Sequence, residues 1–321
     1  MQLNTGQTKQ NKTQGSSPRR KSTRVRSVRP LADAALKVAA SANKRVKGRE
    51  ATVRYAFLRL PRDSDPGADP APVARLLRGS RDGLRLKLYL ALLWMAGGGE
   101  ENRHEVTFPA RAFAELLDLP NPDTAGQRRV REALKSFEEQ RLTTIRSDPG
   151  RPLTITLLCE NGSGEPYERP GKYWQDRVED EEDPDLTRMF VRLGNEFWVQ
   201  GWALELSAPA VAMLLVMLLI TRNGRNDNQW VAMSERRFYG LSDDTWTRGI
   251  AELVDHGILI VRKLPVNEDA FQWKRVRSHY TLRMSRLSER ADPPLPGRDD
   301  SEGPRPPKRA ARRRKRASPS A

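Results

Sequence analysis

The stretch RFYGLSDDTWTRGIAELVDHGILIV, residues 237–261, changes its hydrophobic rhythm twice. Helical spacing stops at Gly240-Leu241-Ser242, where glycine tolerates the left-handed backbone of a helix end and serine can cap the next helix. Trp246, Ile250, Leu253 and Val254 then recur at helical spacing and define a core face. Gly257 ends that helix, and the run from Ile258 to Val261 reads as a strand turning back against it. Two helices joined by a tight turn, with a hairpin behind them, are the pattern predicted here.

The same order occurs twice along the chain. The first half reads LRLKLYLALLWMAGG, VTF, PARAFAELLDL, TAGQRRVREALKSFEEQ and RLTTIRSDPGRPLTITLL: helix, short strand, two helices, then two strands around a turn. The second half repeats it with SAPAVAMLLVMLLI, WVAM, SERRFY, DDTWTRGIAELVDHG, ILIVRK and RVRSHYTLRM. Val106 is matched with Trp230 and Ala110 with Ser234, which is expected to cap the SERRFY helix. Beyond an insertion at LPNPDTAG, Leu134 is matched with Ile250, Phe137 with Leu253 and Leu142 with Ile258. Such a repeat predicts tandem copies of one small unit.

The expected fold class is therefore α+β, mainly helical, with two tandem winged helix-turn-helix domains and disordered basic tails. The expected boundaries are a basic, largely disordered arm over 1–72, a first domain over 73–160, a Gly/Pro/acidic linker over 161–190, a second domain over 191–288 and a disordered polybasic tail over 289–321.

The 321 residues carry a formal net charge of +16 with a pI near 10.3, so the long-range property of the molecule is attraction to polyanions. Cys159 is the single cysteine and has no disulfide partner, which predicts a reducing, cytoplasmic setting. The apolar run from Ala208 to Ile220 is short of the ~20 residues of a membrane span and reads as a core helix. The three histidines have no chelating spacing, Gly171-Lys172 is followed by tyrosine rather than the Ser or Thr of a phosphate loop, and no acid–base pair is identified. No enzymatic activity, cofactor or metal is expected.

In a helix-turn-helix the second helix enters the major groove. The face opposite Val130, Leu134 and Phe137 carries Thr124, Arg128, Arg131 and Lys135, with Gln127 at its edge. The matching face of the second copy shows Asp244, Thr245, Arg248 and Glu252 and is less positive, so this copy is expected to bind through its hairpin or to serve in dimerisation. On that hairpin Arg262 and Lys263 lead out and Lys274, Arg275 and Arg277 return, all suited to phosphates, with Trp273 near the tip. Trp94, Trp198, Trp202, Trp230 and Trp246 are expected in the core. The terminal KRAARRRKR would bind by counterion release without reading sequence.

The segments ERRFYGLSDDTWTRGIAELVDHGILIVRK, RLKLYLALLWMAGG and FPARAFAELLDLPNPDTAGQRRVREALKSFEEQ resemble a group of winged-helix proteins common in actinobacteria, over about residues 80–287. The paired arrangement also resembles plasmid replication initiators built from two winged helices. This resemblance implies double-stranded DNA as the partner, bound at repeated or palindromic origin sites, with recruitment of replication factors. A transcriptional regulator and a winged-helix protein-interaction module are the alternatives; a homodimer and the replication or transcription machinery are further candidate partners.

Overall fold

The fold is that of a computed structural model describing residues 31–65, 67–79, 82–96, 104–147, 151–170, 186, 188–266 and 276–291. The chain runs α1 (Asp33–Arg45), β1 (Ala51–Arg54), α2 (Tyr55–Leu58), α3 (Pro72–Leu77), α4 (Leu84–Ala96), β2 (Glu105–Phe108), α5 (Ala110–Leu116), a π-helical turn (Pro122–Gly126), α6 (Gln127–Glu139), β3 (Thr143–Arg146) and β4 (Leu153–Leu157). It continues through β5 (Phe190–Leu193), α7 (Glu196–Val199), α8 (Trp202–Glu205), α9 (Ala208–Ile220), a 3-10 helix (Met233–Tyr239), α10 (Asp243–Asp255), β6 (Leu259–Pro265), β7 (Val276–Leu282) and α11 (Met284–Leu287). The class is α+β: about half of the described residues are helical, and the strands form small antiparallel sheets ordered β1-β5, β2-β4-β3 and β6-β7.

Two helices organise the interior. Every side chain of α4 except Arg85 and Lys87, and every one of α9 except Pro209 and Ile220, is buried. A helix that is apolar all round must be covered on all sides. Both halves of the chain accordingly feed one continuous core, in which α4 and α9 touch. Tyr89 of α4 stacks on Phe57 at 5.2 Å and meets Phe137 of α6 edge-on at 5.5 Å, while Trp94 stacks on Trp198 of α7 at 5.2 Å.

The region expected as an arm is folded from Asp33 onward. Ala35, Ala39 and Ala42 give α1 a buried stripe of small side chains, which lets it lie close on α5 and α7. β1 pairs with β5, bringing Ala51 opposite Leu193. At the end of β1 the buried Arg54 donates to Glu160 Oε2 at 2.9 Å, its backbone N–H to Oε1 at 3.2 Å, and its guanidinium also to the Glu168 carbonyl. The guanidinium lies over Tyr167, 5.3 Å from the ring centroid. Burial pushes the Glu160 carboxyl up to about 7, outweighing the opposing pull of Arg54. Residues 161–170, expected as the start of a linker, are therefore packed structure, with Tyr167 buried. The acidic block that follows and residues 292–321 lie outside the described residues, as do residues 1–30.

Two pairs of helices match in length. α4 and α9 span 13 residues each, as do α6 and α10. The latter pair also end alike. In α6 the N–H of Arg141 bonds Glu138 O and that of Leu142 bonds Phe137 O, both at 2.9 Å; after α10 Gly257 bonds Val254 O at 2.8 Å and Ile258 bonds Leu253 O at 2.9 Å. These are two Schellman caps, with Arg141 (φ 55°) and Gly257 (φ 68°) at the left-handed position. Leu142 and Ile258, which follow, are fully buried.

Several expectations shift in the second half: WVAM, expected as a strand, forms none, and only the preceding Gln229 bridges Tyr280. SERRFY is part of a 3-10 helix capped at Ala232, so Ser234 lies inside the element and not at its start. Val254, expected on the core face of α10, is 36 % exposed. Trp230 is not a core residue: it is 44 % exposed. The cause is register. Val106 of β2 pairs with Ile155, which also faces Ile145 of β3; in the second half Gln229, not Trp230, bridges Tyr280, which faces Val261 of β6. Gln229 is thus the counterpart of Val106, and a one-residue offset moves a strand side chain to the opposite face. Trp94, Trp198, Trp202 and Trp246 are buried.

Candidate nucleic-acid interface

Three surfaces carry the candidate residues. The first is the start of α6. The insertion before it forms the π-helical turn, which Asn121 enters with φ 49° and in which Gly126 packs so closely on Ala114 that a Cβ would lie 3.0 Å from the alanine methyl. Thr124 is exposed on this turn. Arg128, Arg131 and Lys135 are exposed along α6, with Gln127 partly covered, whereas Val130, Leu134 and Phe137 are buried. The helix thus separates a core face from a polar face as its spacing demands. Its cations are lightly engaged: Arg128 pairs with Glu132 at 3.4 Å, and Arg131 donates to Oε1 of Gln127 at 3.4 Å, while the Nε2 of Gln127 donates to the Asp123 carbonyl at 3.0 Å. Both partners of the Arg128–Glu132 pair are well exposed, so the pair holds at most about 1 kcal/mol and can yield to a phosphate or base. Arg129, which sequence reading passed over, is tied to Asp82.

The second surface is α10. Ser242 accepts from the Thr245 N–H at 3.1 Å and caps the helix. Arg248 pairs with Asp244 at 3.1 Å. Glu252, expected on the outward face, instead accepts from the Ser207 N–H at 2.7 Å and from its hydroxyl, fastening α10 to the start of α9. The helix packs there at Gly249, where a Cβ would come within 2.5 Å of Pro209 O and of Met213 Cγ. The exposed part of α10 carries Asp243 and Asp244 against Arg248, so its outward charge is not cationic.

The third surface is the β6–β7 hairpin. Arg262, Lys263 and Arg277 are exposed, and no carboxylate among the described residues pairs with any of them. Strand alternation splits them. Arg262 faces His279 and Leu264 faces Arg277, so these four share the outer side of the sheet, while Lys263 opposite Ser278 belongs to the side of Tyr280 and Leu282. Lys274, Arg275 and Trp273 lie outside the described residues. Trp230 joins the outer side through the bridge of its neighbour Gln229, and Arg277 lies 4.1 Å from its ring centroid. Alternation within NQWVAM, where Val231 packs on the core, was the sequence signal that could have placed Trp230 outward.

Among the described residues no group of three or more His, Cys, Asp or Glu side chains could hold a metal ion, and no helix is long and apolar enough to cross a membrane. No family model, curated protein or solved structure matches the chain.

Proposed function

We propose that the protein binds double-stranded DNA sequence-specifically through two winged helix-turn-helix units in tandem, as a replication initiator of a plasmid or mobile element. The observation that carries this reading is the order of buried helix, amphipathic helix and antiparallel hairpin that α4, α6 and β3–β4 share with α9, α10 and β6–β7. Its two 13-residue recognition-type helices end in the same hydrogen-bonded cap. The exposed face of α6, with Thr124, Gln127, Arg128, Arg131 and Lys135, is the groove-reading element. Arginine there can donate two parallel hydrogen bonds to guanine, each good pair giving roughly 1–3 kcal/mol of discrimination. The second unit, with its near-neutral α10 face, contributes Thr245, Arg248 and above all the hairpin cations Arg262, Lys263 and Arg277, together with Lys274 and Arg275. These are suited to phosphates. A transcriptional regulator would use the same residues, and an operator in place of repeated origin sites would identify it.

The test is selection of bound genomic fragments with the purified chain, followed by R128A/R131A on the selected site and on random duplex. Selective loss on the selected site, on the order of tenfold or more, is expected. Equal loss on both would assign the two arginines to phosphate contacts, and absence of any salt-sensitive duplex binding would leave a protein-interaction module.

A further inference from the structure

The outer face of the β6–β7 sheet has a composition that duplex binding does not explain. A half-exposed indole, Trp230, has the Arg277 guanidinium carbon over its ring, 4.1 Å from the centroid, with Arg262, His279 and Leu264 on the same side. The equivalent side of the first sheet, with Glu105, Thr107, Thr144, Arg146, Thr154 and Thr156, offers a cation but no ring. The one-residue register change in the second half is what turns the indole outward, against the hydrophobic cost of leaving so large a ring in water. The described strands of this hairpin contain no acidic residue. His279 is held by Asn228, whose carbonyl lies 2.7 Å from its Nδ1, so this edge of the face is fixed before any ligand arrives.

A duplex presents phosphates, sugars and base edges, but its base faces are already stacked. A half-exposed indole with one guanidinium over its ring and a second on the same side of the sheet matches the unstacked base and backbone of a single strand. The geometry points to a binding site for single-stranded nucleic acid on this sheet face: one base stacks on Trp230, while Arg262 and Arg277 take the adjoining phosphates. The site does not rest on duplex recognition by α6 and stands or falls separately from it.

The test uses the full chain with a fluorescently labelled single-stranded oligonucleotide and, in parallel, a random duplex of similar length. Salt is raised until non-specific binding by the basic tails is weak. Base–aromatic stacking of about 1–3 kcal/mol corresponds to about 5- to 150-fold in affinity. W230A is expected to lose single-strand binding within that range while duplex binding stays within about twofold. The single strand should also quench part of the indole fluorescence of the unaltered chain, and W230F, which keeps a ring in place, should lose that part. Unchanged single-strand affinity in W230A, equal loss on both nucleic acids, or undiminished quenching in W230F each overturns the proposal. So does a change confined to sedimentation, which would make the face a protein–protein interface.

Discussion

At the level of single residues, the carboxyl of Glu160 is the most consequential group that sequence reading did not single out. It is fully buried 106 positions from its partner Arg54, a separation that no local pattern can reveal. Its folded pKa stands near 7, above the ordinary 4.5, because desolvation outweighs the attraction of Arg54. The folded chain therefore holds a proton that the unfolded chain releases. Stability from this group is fully present below about pH 4.5 and falls as pH rises to about 7, at most about tenfold in the folding constant per pH unit. Urea unfolding at a series of pH values should show E160Q lacking that fall relative to the unaltered chain. Parallel pH profiles for the two proteins would refute it. The buried tryptophans were legible because apolar spacing reports burial directly; Trp230 was not, because a shift of one residue in a short strand leaves composition untouched while reversing the face.

At the level of elements, α4, α6, α9 and α10 were readable, since a 13-residue run that is apolar throughout or amphipathic admits little else. Elements placed by distant partners were not. α1 owes its place to an alanine stripe docked on α5 and α7, and β1 to pairing with β5, which begins 136 positions beyond the end of β1; both depend on partners distant in sequence. The turn at Gly240 shows local and long-range demands coinciding: φ is 63°, and a Cβ would also lie 2.7 Å from Pro70. Gly249 has no such backbone requirement, only proximity, and that makes it the cleaner probe of the α9–α10 contact. G249A would force a methyl to within 2.5 Å of Pro209 O, so α10 must move off α9. A loss of about 1–3 kcal/mol in unfolding free energy is expected despite the better helix propensity of alanine. A gain in stability would mean that the two helices are not in close contact.

At the level of the whole molecule, the net charge is concentrated in the two end segments of the sequence. Residues 1–30 contain eight Lys or Arg and no Asp or Glu; residues 292–321 contain nine against four, so the two segments together hold +13 of the +16. Both are attached at one place. Leu31 packs on Gly201, where a Cβ would lie 2.7 Å from its Cδ1, and the N–H of Ala291 donates to the carbonyl of the preceding residue, Gln200, at 2.8 Å. Trp202, which donates to the carbonyls of Leu287 and Glu289 and carries Arg286 over its ring, holds the second attachment point in position. Two polycations tethered at one site raise each other's effective concentration on a shared polyanion. Removing residues 292–321 is therefore expected to weaken binding to every duplex and to flatten the dependence of log affinity on log salt, by close to one for each phosphate that the shortened chain leaves unneutralised. Removing residues 1–30 as well should weaken binding by less than the product of the two single losses, because the survivor of either single deletion has already lost its partner's tethering. Deleting both should leave whatever discrimination α6 provides between a selected site and random DNA. A titration series over salt with the four proteins measures all of this, and multiplicative, independent losses would show that the two segments act without regard to their common point of attachment.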